Sequence, residues 1–490
     1  MSNFFPSFLG HVPTGCSVRF CSSQKSPHRA GHPLCMFVTA FICLLLSNVV
    51  YAQHATGRNL YNFFDTAHRL GQFNGNALVV EKGRVVSRVS MGKADTSGST
   101  NLTADYRFHI GSIAKEFNAV AIMMLADQHK LSLDDKLSRY LPDLPSWSNE
   151  VSIRNLLQYT SGVPDVKWKT VHNDEENWND LLKLDSLAFK PGTAYNYNNN
   201  NTYLQRRVVA AVSGMSFKDF VVKKMLEPIG IVNAVIDPTE KDRQVARAFS
   251  NAGSQDPLAV PISGWTALTI DDLLKWTLAI RDFKLITPAA TAEIITGFRP
   301  GDQSGLGGGS MENKKIVRHV HDGTARNYQA LLADYPLKGR SILLMTNNQQ
   351  NNLYAIEKSI SNYLDGGPLV PIRKSLLRDL SASLDTLGAA GLLEVYRGLK
   401  KSSAKLYSFD SETTLNEIGY AYLGKNKRAD AIILFEYNTK LFPSSGNVFD
   451  SLAEAYYADG NKAKALENYK KALELDPTNE TAKRIVEELK

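Results

Sequence analysis

From Leu415 onward the chain repeats itself. Ile418, Gly419, Tyr422, Ala431, Phe435 and Pro443 return 34 residues later as Leu452, Ala453, Tyr456, Ala465, Tyr469 and Pro477. Small residues at Gly419/Ala453 and Ala431/Ala465 let two antiparallel helices approach, and the aromatic residues fill the space between them. A fixed offset of this kind leaves one architecture for residues 415–490: stacked helical hairpins, each burying its apolar face against the next. Two units are few for independent stability. The leucine-bearing stretch from Leu376 to Leu399 is therefore expected to pack on them as a cap or degenerate repeat. A proline-bearing linker, Gly366 to Pro371, precedes it, so residues 366–414 read as a helical linker between 415–490 and an earlier domain.

That earlier domain, residues 53–365, has strands at both ends and helices between. A helix is expected over 57–70. Asn76–Glu81 and Arg84–Ser90 read as a hairpin closed at Lys82-Gly83. Helical spacing recurs at Ser152–Tyr159, Ser216–Met225 and Ile270–Ile280, and the Trp-bearing sequence from Val166 to Phe189 reads as a surface helix. Leu131–Leu141 reads as a capped turn of helix, and Gly305–Gly309 as a glycine-rich turn. Lys315–Val320, Tyr328–Asp334 and Ser341–Met345 read as strands, followed by a helix over Tyr354–Tyr363. The pattern predicts an α+β domain whose sheet joins the two chain ends.

Its centre is Tyr106-Arg-Phe-His-Ile-Gly111-Ser112-Ile-Ala-Lys115-Glu-Phe, running into Asn118-Ala-Val-Ala-Ile-Met-Met-Leu-Ala. Apolar residues fall at Ile113, Phe117, Val120, Ala121, Met124 and Leu125, with Ile122 and Met123 on the other side. Such a helix is expected to be buried. Ser112 opens it and Lys115 lies three residues on, on the same face. A serine one turn from a buried lysine is a candidate nucleophile, because desolvation favours the neutral, proton-accepting amine. The helix N-terminus adds positive potential where an oxyanion would form. The spacing alone is background: Ser22, Ser90 and Ser402 also precede a lysine by three.

Two further elements separate Ser112 from these. One is Lys190-Pro-Gly-Thr-Ala-Tyr-Asn-Tyr197-Asn198-Asn199; the other is His319-Val-His321-Asp322-Gly323-Thr324. With Ser112-x-x-Lys115 they resemble the serine β-lactamase and penicillin-binding superfamily, in particular its class C β-lactamase, D-alanyl-D-alanine carboxypeptidase and esterase branch, over about residues 60–365. The 34-residue pattern is likewise similar to tetratricopeptide repeats. The resemblance implies a serine β-lactamase-like fold, an antiparallel sheet flanked by helices plus an all-helical subdomain, followed by an all-α tetratricopeptide-repeat segment. It implies Ser112 as acylated nucleophile, Lys115 as its proton acceptor and Tyr197 as proton relay. Asn199, His321 and Gly323 would contact substrate, and the backbone N–H groups of Ser112 and Thr324 would form the oxyanion hole. Lysine and tyrosine would each need a depressed pKa. His-Asp-Gly stands where the family has Lys-Thr-Gly. A histidine is mostly uncharged near pH 7, and Asp322 adds negative charge. Weak or absent β-lactam hydrolysis is expected, with an ester, amide or D-amino-acid peptide as substrate.

Lys25, His28 and Arg29 precede an apolar run from Met36 to Leu46, and small residues follow up to Ala52. This reads as a secretory signal cut after Ala52, giving a periplasmic or secreted protein that meets the membrane only during export. The 4 cysteines all lie within residues 1–52, so the mature chain is left without disulfides or thiolate chemistry. Removing Arg19, Lys25 and Arg29 from the net charge of +7 leaves +4, too little to argue for nucleic acid.

His319-x-His321-Asp322 also has the look of a zinc cluster, but no further histidine, cysteine or paired carboxylate follows at ligand spacing. No cofactor is implied. A second reading makes the hydrolase-like domain a silent sensor or scaffold, with the repeats binding a partner protein or a second copy.

Overall fold

β1 (Gly75–Glu81) lies between the next strand in sequence, β2 (Arg84–Met91), and a strand from the far end of the domain, Arg340–Thr346. The computed structural model describes residues 55–490 except 251–253, 349–352, 375, 377–379, 381, 382, 385, 478 and 490. Three short strands, β3 (Phe108–His109), β4 (Val235–Ile236) and β5 (Thr266–Leu268), form a small antiparallel sheet of their own. β6 (Gly308–Glu312), β7 (Lys315–Ala325), β8 (Tyr328–Tyr335) and β9 (Arg340–Thr346) complete the main sheet in the order β2-β1-β9-β8-β7-β6. Gly75 pairs with Thr346 and Leu78 with Leu343, so the expected meeting of the two chain ends is present. Lys82 and Gly83 close the first hairpin with φ of 52° and 74°, the backbone that a two-residue turn requires.

The central strands are apolar on both faces because both faces are covered. Leu78, Leu332, Leu343 and Met345 join the core around α2 (Lys115–Asp127). Val79, Leu331, Ile342 and Leu344 face the helix over 55–69 and the helix Leu353–Leu364, meeting Phe64, Ile356 and Ile360. As its sequence predicts, α2 is buried on nearly every side.

Several expected elements differ in extent. Within 166–189 only Asp174–Leu182 is helical, started by Asn173 accepting from the Glu176 amide. The Ser216–Met225 helix is a short α-turn, Phe217–Phe220, continued by a wider π-turn, Val221–Leu226. Leu131–Leu141 contains one 3-10 turn, Leu137–Arg139. Gly308 and Gly309 belong to edge strand β6, opposite Val320 and His319, and only the residues before them turn. Two helices were not expected: Asn199–Ser213 and Pro288–Ile295. The first starts inside the asparagine run, where Asn198 caps it by accepting from the Asn201 amide.

The repeat segment folds as helical pairs, Thr413–Gly424 with Arg428–Leu441 and Gly446–Ala458 with Lys462–Leu475, followed by Glu480–Glu488. Gly419 lies against Phe435: a Cβ on it would come 2.5 Å from the ring. Helix Ala389–Ser402 joins the same core through Leu392, Leu393 and Tyr396, in the manner of a cap. This core draws on residues 376–489, and the cores of the sheet domain draw on residues 60–372. The expected signal segment, residues 1–52, lies outside the described residues. Among the described residues no helix is long and apolar enough to cross a membrane.

Candidate active site

Ser112 sits in a 3-10 turn, Gly111–Ala114, that feeds directly into α2. Gly111 has φ of 54°, and a Cβ there would meet the Thr324 nitrogen at 2.4 Å. From the other side, a Cβ on Gly323 would fall 2.7 Å from the Ser112 nitrogen. The two glycines let the serine turn and β7 touch backbone to backbone, which draws the amide nitrogens of Ser112 and Thr324 to one small region.

Lys115, on the first turn of α2, donates from Nζ to Ser112 Oγ at 2.8 Å. It is only 7% exposed. Burial, reinforced by the nearby Arg206 cation, lowers its ammonium group from the usual range to about 8, although Asp165 and Asp322 act the other way. Nζ also lies 4.9 Å from the centre of the Tyr197 ring and 6.0 Å from that of Trp265. Tyr197 thus stands beside the Ser112–Lys115 pair, its own ring 4.5 Å from that of buried Tyr159. Its hydroxyl is buried next to Ser112 without completing a well-formed hydrogen bond. Burial pushes the Tyr197 phenol up, contrary to the expectation of a depressed value, because a buried oxygen is costly to ionise.

Asn199 opens the helix Asn199–Ser213. Its backbone nitrogen donates to Asp165 Oδ1 at 2.8 Å and its side chain borders a small cavity shared with Lys115. Gly323 and Thr324 lie against the serine turn as described. His321 is brought to the same face of β7 as Gly323 but is 1% exposed, so the structure makes it part of the wall rather than an open contact. Its ring packs on Gly307, whose φ of 68° and missing side chain leave room for it.

The histidine pair has a different occupation from metal binding. His319 Nε2 and His321 Nδ1 both donate to Glu116 Oε1 at 2.8 Å, and Trp276 Nε1 donates to Oε2 at 2.6 Å. Among the described residues no group of three or more His, Cys, Asp or Glu side chains is arranged to hold a metal ion. Burial alone would raise the Glu116 carboxyl, but the histidines outweigh it and hold it well below the usual carboxylate range. Burial works against a charge on His319, and Glu116 outweighs it and raises that imidazole. Glu116 was not anticipated from the sequence. Its signal was an acid at the head of a helix whose following turns are mostly apolar and buried, a position that needs a buried partner.

A mixed sheet-and-helix domain with serine and lysine paired at the head of its central helix defines the class of serine β-lactamases and penicillin-binding proteins. The beta-lactamase family model matches residues 65–361, and the chain belongs to that family; a tetratricopeptide repeat model matches residues 447–479. A penicillin-binding protein of Bacillus subtilis (strain 168) is 25% identical over 350 residues, covering 64% of this chain and 76% of its own length. Among solved structures, a penicillin-binding protein from Bacillus halodurans superposes with a TM-score of 0.54 at 24% identity, covering 61% of this chain and 98% of its own. A class C beta-lactamase variant gives 0.54 at 19% identity, covering 64% and 98%. The last two likenesses establish the fold.

Proposed function

We propose that residues 53–365 form a serine hydrolase acting on an ester or amide through an acyl-enzyme. The observation that carries this reading is the buried Lys115 amine at 2.8 Å from Ser112 Oγ, with its pKa lowered to about 8. Neutral Lys115 takes the Ser112 proton as Oγ bonds to the substrate carbonyl carbon. The carbonyl oxygen becomes the oxyanion, held by the N–H groups of Ser112 and Thr324. The raised pKa of Tyr197 suits it to carry a proton: it donates to the leaving alcohol or amine as the carbonyl–leaving-group bond breaks, and is reprotonated from Lys115. Water then hydrolyses the acyl-serine by the reverse sequence. Asn199 orients the acyl portion, and Gly323 keeps β7 close enough for substrate to lie along it. The basic and apolar pattern of residues 1–52 supports export, and the repeats support a docking role toward a partner protein or a second copy.

Intact-mass analysis after treatment with a fluorophosphonate tests the reading. One adduct on wild type and none on Ser112→Ala is expected. No adduct on folded wild type would overturn it in favour of a silent sensor or scaffold.

A further inference from the structure

Beside Lys115 is a small cavity of about 20 Å³, enough for one water. Lys115, Asn118, Asn199, Arg206, Gly264 and Trp265 are among the residues lining it. Arg206 comes from the helix Asn199–Ser213 and is only 6% exposed. Its Nε and Nη2 are buried without hydrogen-bond partners, and so is Asn118 Oδ1 on α2. Gly264 makes room for it: φ there is 97°, and a Cβ would fall 2.5–2.7 Å from three atoms of the guanidinium group. The protein has placed a second cation beside its candidate base and left two of that cation's donor nitrogens unpaired within the protein.

Such an arrangement is costly to bury, and simple packing would be served by an aliphatic side chain in the same helix. The charges on either side are divided. Asp174 and Asp237 act on Arg206, with Tyr203 beneath its guanidinium group at 5.5 Å. The Asp237 carboxylate is engaged by the Gly264 and Trp265 amides and that of Asp174 by the Ser263 amide. Asp165 and Asp322 act on Lys115, which also meets the Ser112 hydroxyl and the Tyr197 ring. The lining therefore places a fixed guanidinium cation, which does not lose its proton, opposite an amine that must be neutral to accept one.

We propose that Arg206 is a positioning residue for the hydrolysis: across the water-sized cavity it keeps Lys115 in the neutral, proton-accepting form and holds the water that joins it to Asn118. This rests on Lys115 being the proton acceptor for Ser112. Arg206 touches no reacting atom, so its loss shows in the pH dependence of acylation more than in its limiting rate.

The test is the rate of fluorophosphonate labelling of the full chain from pH 5 to 10. Wild type should rise with pH through a midpoint set by Lys115. Arg206→Gln should move that midpoint up by about one pH unit or more, the scale on which a neighbouring charge shifts a pKa, and leave the high-pH plateau within a few-fold. Arg206→Lys, which keeps the charge, should stay near wild type. Arg206→Met removes the charge with an unbranched apolar side chain of similar length, which suits a buried site. It should likewise move the midpoint up, and it serves as the second variant if Arg206→Gln does not fold. A uniform loss of rate with the midpoint unmoved in Arg206→Gln or Arg206→Met overturns the proposal. Lys115→Met separates the two readings. If it still labels with the wild-type pH profile, the assignment of Lys115 as acceptor fails. If it does not label and the other midpoints are unmoved, only the role of Arg206 fails.

Discussion

Gly323 and Ser112 are in backbone contact: a methyl group on Gly323 would lie 2.7 Å from the Ser112 nitrogen and 1.9 Å from the Ile110 oxygen. Neither neighbour is a flexible side chain that could swing away. Gly323→Ala should therefore push β7 off the serine turn, costing about 1–3 kcal/mol of stability. It should also part the two oxyanion-hole amides, slowing fluorophosphonate labelling by about 10²-fold or more. A thermal melt and a labelling time course check both effects. Wild-type labelling in this variant would remove Gly323 and Thr324 from the site.

Glu116 is the buried anchor between α2 and β7, and its network should govern the pH dependence of stability. His319 is raised above its usual 6.5, so its contribution is complete below that value and fades as pH rises through the folded pKa. Glu116 is depressed below its usual 4.5, so its contribution is complete above that value and fades as pH falls. Both act fully between about 4.5 and 6.5. Glu116→Gln should cost roughly 3 kcal/mol in that window, the scale of breaking a buried ion pair. The gap to wild type should narrow on either side of it. Urea unfolding at a series of pH values measures this, and a pH-independent gap would mean the histidines do not share a charge with Glu116.

What could be read from the sequence follows how local the determinant is. Ser112 and Lys115 lie one helical turn apart, and the repeat positions recur at a fixed offset, so both are visible along the chain. Glu116 meets His319 and His321 across 203 and 205 residues, and nothing local announces that contact. Arg206 was hidden for a related reason: the helix that carries it begins in Asn199-Asn200-Asn201, residues that read as loop until Asn198 is recognised as a cap. The direction of the Tyr197 shift was also out of reach, since it depends on how deeply the fold buries the hydroxyl. Extents of weak elements, such as 166–189, were set by packing rather than by pattern.

In the repeats, a Cβ on Gly419 would meet the fully buried Phe435 ring at 2.5 Å. Gly419→Ala should force the two helices of the first repeat apart and destabilise the repeat segment by about 1–3 kcal/mol. The repeat core and the sheet-domain cores draw on separate stretches of chain. Labelling at Ser112 is accordingly expected to be unchanged at temperatures where the variant's repeats have begun to melt by circular dichroism. A parallel loss of labelling would show that the two segments unfold as one cooperative unit.

His321 bears on which acyl groups the site can accept. In the wall of β7 it is 1% exposed and donates from Nδ1 to Glu116, and the neighbouring Asp322 carboxyl group accepts from the Tyr354 hydroxyl at 2.8 Å. Lys115 is engaged with Ser112, and Arg206, which lines the small cavity beside it, is only 6% exposed. A substrate carboxylate meeting β7 at the His321 position would thus lack the charge-assisted hydrogen bond that an exposed lysine there would offer, an interaction of about 1.5–3 kcal/mol, or roughly 10–10²-fold in rate. Nitrocefin, which carries such a carboxylate, should be turned over at least about tenfold more slowly than an uncharged p-nitrophenyl ester that acylates Ser112, compared by kcat/KM on the same preparation. Methyl esterification of a carboxylated test ester should close most of that difference. Rapid nitrocefin turnover would mean that another group meets the carboxylate, and the reading of His321 as wall rather than anion contact would have to be given up.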